Sequence, residues 1–228
     1  LFYLDSNSSP ILEITKDDFQ IITNGVNISP TNLIIPEQNI YENLSLLFSV
    51  DLALNSRYND KTNFDLAKEF LDSLVELINY TKNEVSLTSF DWNSYLHTEF
   101  TQDKQILEEQ ISLLKTSNGS KLEVGLLDDP AGALNIASKS QYKSSILLIT
   151  EGGNIAGLTD AIEYAKFNGI TINVISFEKT ISLDLKKIAD ETGGFYFDNI
   201  ANRFKMSDFA VIIYNILWNH KPITLKWK

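Results

Sequence analysis

Hydrophobic patterns typical of strands and of helices alternate through most of the chain. Residues 44–50 form a mostly apolar run of the length of a buried strand, and apolar residues from 64 to 78 recur every three or four positions, as on one helix face. Two further strand-type runs, 146–149 and 170–177, are each followed by a helical pattern. A repeated strand–helix order requires a mainly parallel sheet covered by helices on both faces. The sequence therefore predicts an α/β, doubly wound fold.

The two ends of the chain lie outside this alternation. Near the beginning, Asn24-Gly25 separates two short β-type runs, which is the strongest short-range signal for a hairpin. The last residues of the chain alternate between apolar and polar positions, as in a half-buried strand. We expect residues 1–43 to form a small β extension that pairs with residues 222–228, and residues 44–221 to form the α/β domain.

The composition excludes several classes of function. Lys and Arg total 19 against 30 Asp and Glu, and the resulting net charge of −11 repels nucleic-acid phosphates. Because cysteine is absent, disulfides, thiolate metal sites and thiol catalysis are excluded. The longest apolar run, 209–214, is much shorter than the roughly 18 residues that cross a bilayer, so we predict no membrane insertion. No candidate nucleophile is accompanied by a base in the sequence, so we also predict that the chain is not an enzyme.

Four stretches of the chain resemble the von Willebrand factor A (vWA) domain family. Residues 46–51 resemble the first core strand, which in the family runs into D-x-S-x-S, and residues 85–90 resemble the second strand. Residues 146–152 resemble the apolar strand that ends in T-D-G. Residues 185–197 are close to the run L-x-x-I-A-x-x-T-G-G-x-Y-F of many bacterial vWA domains. The resemblance implies a Rossmann-like, doubly wound domain.

The beginning of the chain resembles a bacterial vWA-related group. Residues 12–25 match the pattern L-x-I-T-K-D-D-F-x-I-x-x-N-G of the β segment that precedes the domain in that group, often on secreted or envelope proteins. The sequence starts at Leu1, without an initiator Met or a signal-peptide pattern. We therefore expect a segment of a longer, multidomain protein that is extracellular, on the cell surface or periplasmic.

The same resemblance implies a metal-ion-dependent adhesion site (MIDAS), in which oxygen ligands hold Mg²⁺ at the carboxyl ends of the core strands. Carried over onto this chain, the first Asp of D-x-S-x-S is Asp51, the two Ser positions are Ala53 and Asn55, and the Asp of T-D-G is Glu151. Aligning back along the chain from the following helix places the family's Thr near Asp128. The resemblance thus predicts a degenerate MIDAS.

Two interpretations of this site are open at the level of sequence. In the first, Asp51, Asn55, Asp128 and Glu151 form a remodelled acidic cup that still binds Mg²⁺ or Ca²⁺, since Ca²⁺ accepts irregular oxygen cages. In the second, metal binding is lost, because Ala53 offers no oxygen and octahedral Mg²⁺ tolerates little change in donor length. Both interpretations require Asp51 and Glu151 to lie side by side at the ends of neighbouring central strands.

The function predicted from these residues is a non-enzymatic protein-interaction or adhesion module. Its partner-binding face comprises Asp51, Ala53, Asn55, Asp128 and Glu151, and the degenerate motif weakens the case for metal dependence. The acidic composition favours a basic or metal-bridged protein partner, because complementary potentials speed encounter. The alternative is a structural scaffold domain of a larger envelope or secreted protein, in which these loops have no partner.

Overall fold

The computed structural model describes residue 17 and residues 21–23, 25–34, 43–218 and 224–226. The chain divides into two compact units, of which the smaller comprises Leu1–Tyr41 with Asn215–Lys228 and the larger comprises Glu42–Tyr214. Among the described helices, none is both long and apolar enough to cross a membrane.

The smaller unit contains short antiparallel strand pairs. Its described strands are β1 (Ile21–Thr23), β2 (Val26–Ile28), β3 (Asn32–Ile34) and, at the other end of the chain, β12 (Thr224–Lys226). Between β1 and β2, Gly25 has a φ of 78°, as a tight hairpin turn requires, while Asn24 of the predicted turn lies outside the described residues. β3 pairs with β12, with Leu33 opposite Leu225. The two ends of the chain are thus joined by a strand ladder, and the boundaries given above for the extension stay a prediction.

A six-stranded sheet forms the centre of the larger unit. Its strands in spatial order are β11 (Tyr196–Phe197), β10 (Thr171–Ser176), β9 (Lys143–Thr150), β4 (Leu44–Asp51), β7 (Glu84–Phe90) and β8 (Ser94–Thr101). All neighbours are parallel except the edge strand β8, which runs antiparallel to β7. A separate small hairpin, β5 (Arg57–Tyr58) with β6 (Lys61–Thr62), follows β4. Every residue of β4 and β7 is buried, as in a parallel sheet that is covered on both faces.

Helices flank this sheet. They are α1 (Asn63–Leu77), α2 (Lys104–Leu113), α3 (Leu122–Leu127), α4 (Ala133–Ala137), α5 (Leu158–Phe167), α6 (Leu183–Thr192), α7 (Ile200–Arg203) and α8 (Met206–Leu217). Residues of α3 to α6 form one core cluster with Leu47 of β4. Because side chains alternate along a strand, Phe48 points to the other face. Outside that cluster, α1 and α8 contact each other through Phe70 and Phe209, whose ring centroids are 5.4 Å apart. The mainly parallel, helix-covered sheet confirms the predicted α/β class.

The first helix begins at a capping box just after the β5–β6 hairpin. The hydroxyl of Thr62 accepts the Asp65 N–H, and the Asp65 carboxylate in turn accepts the Thr62 N–H. Such reciprocal bonds satisfy two of the backbone donors that a helix start leaves open. They fix Asn63, the first residue of α1, close to the carboxyl end of β4.

Two adjacent glycines end α6 for different physical reasons. Gly193 has a φ of 78°, and a Cβ added there would meet nothing within 4 Å. Gly194 is required by space instead, because its Cβ would lie 2.0 Å from the carbonyl oxygen of Ile172 in β10. The Thr-Gly-Gly run of the sequence therefore combines a left-handed helix cap with a close backbone approach.

We predict that Gly194→Ala is the more damaging of two matched substitutions. It forces the end of α6 away from β10, at an expected cost of about 3 kcal/mol of unfolding free energy. Gly193→Ala strains only the backbone, at about 1 kcal/mol. Urea denaturation followed by tryptophan fluorescence measures both. A larger loss at position 193 than at position 194 would contradict the packing argument.

Candidate functional site

Asp51 ends the central strand and lies beside the end of β9. The register pairs Val50 with Ile149, so the next residues, Asp51 and Thr150, are neighbours across the two parallel strands. The Thr150 hydroxyl donates to Asp51 Oδ2 at 2.8 Å, and the N–H of Ala53 donates to Oδ1 at 2.8 Å. Glu151 follows directly. The prediction that Asp51 and Glu151 lie side by side at the ends of neighbouring central strands is confirmed.

The Asp51 carboxyl group is almost fully buried. Only 2% of the residue is exposed. Burial raises the pKa of Asp51 above its ordinary value of 3.8, and the nearby charge of Glu151 raises it further. Hydrogen bonds from the Ala53 N–H and from the hydroxyls of Ser120 and Thr150 lower that pKa, but less than burial raises it. Asp51 is therefore a buried acid held by donors from separate segments of the chain.

Glu151 connects the loop after β9 to the loop after β4. Its Oε1 accepts the Ser56 N–H at 2.8 Å and the Asn63 side-chain amide at 2.7 Å, and its Oε2 accepts the Ser56 hydroxyl at 3.1 Å. Asn63 is 5% exposed and opens α1. We call this set of hydrogen bonds, from Ser56 and Asn63 to Glu151, the Glu151 bridge. It fastens the start of α1 to the end of β9.

The two positions that are serine in the family's D-x-S-x-S motif, 53 and 55, have no hydroxyl group in this chain. Ala53 presents a methyl group, and the side-chain nitrogen of exposed Asn55 donates to the Ser117 carbonyl at 2.6 Å. The Ser117 N–H donates in turn to the Leu52 carbonyl at 2.7 Å. Asn55 thus fastens the loop after β4 to the segment that precedes α3.

The structure places Asp128 apart from this group. Asp128 caps the end of α3, a helix that the sequence pattern did not reveal, and its Oδ2 accepts the Ser94 hydroxyl at 2.8 Å near the edge of the sheet. The hydroxyl beside Asp51 belongs to Ser120 instead. Aligning back from α4 reaches Asp128 before α3, whereas the hydroxyl next to Asp51, on Ser120, lies on the other side of α3. Gly119-Ser120, directly before the apolar residues of α3, was the signal that could have located it.

The carboxylate oxygens at this site are engaged by hydrogen-bond donors of the protein itself. Both Asp51 oxygens and both Glu151 oxygens already accept hydrogen bonds from the protein. The buried hydroxyl of Ser49, two residues before Asp51 in β4, has no hydrogen-bond partner among the described residues. It is neutral, so it supplies no negative charge to a cation. Within the described ranges, no group of three or more His, Asp or Glu side chains could hold a metal. The three carboxylates of the acidic-cup interpretation are not brought together.

A serine–histidine contact on the edge of the sheet does not form a catalytic pair. Ser89 Oγ lies 2.6 Å from His97 Nε2, but Ser89 is 1% exposed. A nucleophile must reach its substrate, and its base is normally oriented by a third group. In the part of the chain that the structure describes, no carboxylate is hydrogen-bonded to this ring. Burial lowers the pKa of His97, so the contact is that of a neutral, structurally satisfied histidine.

Comparison with known proteins gives a family match and several similar folds. The family model of the von Willebrand factor type A domain matches residues 52–212. An aerotolerance-related membrane protein from Bacteroides fragilis is 15% identical with a TM-score of 0.58, and the match covers 76% of this chain and 98% of that one. A von Willebrand factor type A protein from Catenulispora acidiphila is 17% identical with a TM-score of 0.61, over 77% of this chain and 43% of that one.

A third similar structure contains a metal. Proximal thread matrix protein 1 from the mussel byssus, with a zinc-occupied MIDAS motif, is 16% identical with a TM-score of 0.61, over 81% of this chain and 47% of that one. Identities this low establish a shared fold and do not transfer the metal. No curated protein matches the chain.

We predict that Asp51 makes the protein less stable as the pH rises. Because its pKa in the folded state is raised, its contribution to stability is complete below about pH 3.8 and is lost as the pH passes through the raised value. Asp51→Asn cannot titrate. The stability of the wild type relative to this variant should therefore fall between pH 3.8 and neutral, as measured by urea denaturation across that range.

Asp65 supplies a control of opposite sign. Hydrogen bonds from the Thr62 hydroxyl and N–H lower the pKa of Asp65, so its contribution is present above pH 3.8 and is lost as the pH falls through the lowered value. The wild type relative to Asp65→Asn should therefore gain stability with rising pH. If the stability of the wild type relative to each variant changed with pH in the same direction, burial would not raise the pKa of Asp51.

We predict that Glu151→Asp destabilises the chain although it keeps the charge and restores the family's residue. The shorter side chain cannot reach Ser56 and Asn63 together, and losing a hydrogen bond to a charged group costs about 1.5 to 3 kcal/mol. Glu151→Gln keeps the length and two acceptor contacts, so it should cost less than half as much. Amide exchange at the Ser56 N–H should speed up in the Asp variant alone. Equal exchange in both variants would contradict the bridge.

Proposed function

The chain belongs to the von Willebrand factor type A domain family, and on this premise we propose that it is a non-enzymatic protein-interaction module that binds its partner without a metal ion. Domains of this family commonly mediate protein–protein interaction. The proposed binding surface is the loop face, which we define as residues 52–62, 114–121, 151–157 and 177–182. These segments meet around the carboxyl ends of the central strands, where ligands dock on doubly wound sheets.

The observation that supports a metal-free site is the Glu151 bridge. A MIDAS ion would join the loop after β4 to the loop after β9 through shared oxygen ligands. In this chain Glu151 joins the same two loops directly through Ser56 and Asn63. Hydrogen bonds to a charged group stabilise by roughly 1.5 to 3 kcal/mol, so the bridge helps to hold these two loops together without an ion.

The residues predicted for the partner-binding face take different parts in this proposal. Asn55 is exposed, and Ala53 and Glu151 are half-buried, so a partner can touch all three. Asp51 is too deeply buried for contact and supports the loops from beneath. Asp128 is exposed beside Ser94 and lies at the margin of the surface.

We also propose that the module is part of a larger bacterial protein that is extracellular, on the cell surface or periplasmic. Support comes from the β segment at the beginning of the chain and from the similarity to the membrane protein of Bacteroides fragilis. In that setting the module serves adhesion or assembly at the cell envelope.

Thermal unfolding with and without metal tests the metal-free part of the proposal. The wild type should melt at the same temperature in excess EDTA and in millimolar Mg²⁺ or Ca²⁺, because an ion that does not bind cannot stabilise the folded state. The control is the triple variant Ala53→Ser, Asn55→Ser, Glu151→Asp, which restores the family's ligands. We expect it to be stabilised by Mg²⁺. A wild-type melting temperature that rises with either ion would overturn the proposal.

A selection experiment tests the binding part. Phage-displayed random peptides selected on the full chain should bind the wild type and should lose affinity on Asn55→Lys, which places a long charged side chain on the loop face. The matched control is Gln141→Lys, an exposed position at the opposite end of the sheet, where binding should persist. Selected peptides that respond to neither variant, or to Gln141→Lys alone, would favour the structural-scaffold alternative.

A further inference from the structure

Two adjoining cavities form a groove along the carboxyl ends of β9 and β10. The first, of about 480 Å³, is lined by residues of the loops after β4, β9 and β10, including Arg57 and Lys179. The second, of about 360 Å³, lies between Gly153 and the start of α6. Glu178 and Thr180 line both cavities, so the two meet at these residues. We call them together the loop-face groove.

The second cavity is bordered by apolar side chains that are held outward. Ile181 is 59% exposed and Leu183 is 78% exposed, whereas Ser182 between them is only 9% exposed. The Ser182 hydroxyl donates to the Gly153 carbonyl at 2.8 Å, and its N–H donates to the Tyr196 hydroxyl at 3.1 Å. This anchored backbone presents both neighbours to solvent in a fixed arrangement, which lowers the ordering cost of binding.

The first cavity is lined by two cations, Arg57 and Lys179, beside the carboxylates of Glu151 and Glu178. Arg57 and Lys179 form no ion pair within the described residues, and Arg57 makes one side-chain hydrogen bond, to the Asp60 carbonyl at 3.0 Å. An arginine carries five N–H donors in a fork that matches a carboxylate, and a lysine carries three. Most of these donors are open to a ligand.

Each acid that lines the groove accepts at least one hydrogen bond from the protein. Glu151 accepts three hydrogen bonds in the Glu151 bridge. Glu178 accepts the Thr180 hydroxyl at 2.9 Å and packs so closely on Gly152 that a Cβ there would meet its Oε2. Asp184 accepts the Ile155 N–H at 3.0 Å. Each of these acids therefore already has at least one hydrogen-bond donor from the protein, whereas the two cations of the first cavity have no ion pair among the described residues.

We propose that the loop-face groove binds a segment of the partner protein that combines an acidic side chain with a large apolar one. The carboxylate is held by Arg57 and Lys179 in the first cavity, and the apolar side chain lies on Ile181 and Leu183 in the second. This inference rests on the proposed function and names the chemistry of its partner. It reverses the expectation of a basic partner that the net charge alone favoured.

Overall charge and local charge act at different ranges. The net charge of −11 acts mainly on the approach of a partner, and salt screens exposed charges beyond about 8 Å at physiological ionic strength. Within the groove, the geometry of direct contacts determines which partner side chains bind. A partner lysine there would meet two cations and carboxylates that are already hydrogen-bonded, whereas a partner carboxylate would meet open donors.

The test applies groove variants to the peptides selected on the full chain. We expect those peptides to share Asp or Glu with a nearby large apolar residue. The double variant Arg57→Glu, Lys179→Glu should weaken them at least about tenfold. The control Lys82→Glu, Lys139→Glu makes the same change in net charge at exposed positions before β7 and β9, at the opposite end of the sheet, and should leave affinity within about twofold.

A second pair of variants tests the apolar half. Ile181→Ser with Leu183→Ser should also weaken binding about tenfold, because burial of large apolar side chains supplies much of an interface's affinity. The control is Phe167→Ser, which removes a 90% exposed phenyl ring at the far end of α5 and should change nothing. Circular dichroism of each variant confirms that these surface changes leave the fold intact.

The outcomes separate the inference from the proposed function. Peptides that are lost on Asn55→Lys but unaffected by both groove pairs would overturn the groove and leave the loop-face module standing. The groove would also be overturned if the selected peptides were rich in Lys or Arg, or if they bound the wild type no better than they bound the groove variants. Self-association in light scattering that the groove variants abolish would identify a second copy of the chain as the occupant, and would reject a heterologous acidic segment.

Discussion

Burial of the Asp51 carboxyl group at the end of the central strand is the constraint on which the whole loop face depends. A charge removed from water is tolerated only where hydrogen-bond donors replace the water. Here the donors come from Ala53 after β4, Ser120 before α3 and Thr150 at the end of β9. These segments are far apart in the chain. One buried acid therefore fixes three loops relative to one another, and the surface offered to a partner is built on that arrangement.

The neighbouring acid shows why side-chain length matters more than charge at this position. Two adjacent carboxylates repel each other, and Glu151 raises the pKa of Asp51 for that reason. The extra methylene of Glu carries its carboxylate away from Asp51 to the start of α1, where Ser56 and Asn63 donate to it. The partial positive charge of a helix N-terminus also favours an anion there. Internal donors thus compensate the pair of acids, a role that a divalent cation performs in a MIDAS.

The sequence predicted the parts of the structure that local pattern determines. The central strands, α1 and the Thr-Gly-Gly turn follow from apolar periodicity and from glycine chemistry, and the neighbouring positions of Asp51 and Glu151 follow from strand order. The contacts of Ser56, Asn63 and Ser120 could not be predicted in this way. They depend on how loops close across nearly a hundred residues of chain and on the reach of single side chains. The sequence wrongly grouped Asp128 with Asp51 because α3 is only six residues long and leaves little periodic signal.

Ionic strength links the overall charge to the local chemistry of the groove. An acidic partner segment is repelled at a distance by the net charge of −11 and attracted at contact by Arg57 and Lys179. Added salt weakens the long-range repulsion of exposed charges more than it weakens hydrogen-bonded contacts in a partly enclosed cavity. Moderate salt should therefore speed association with an acidic segment, whereas a basic partner would bind more slowly as salt rises. The sign of this dependence follows from where the cations lie, and it cannot be obtained from composition.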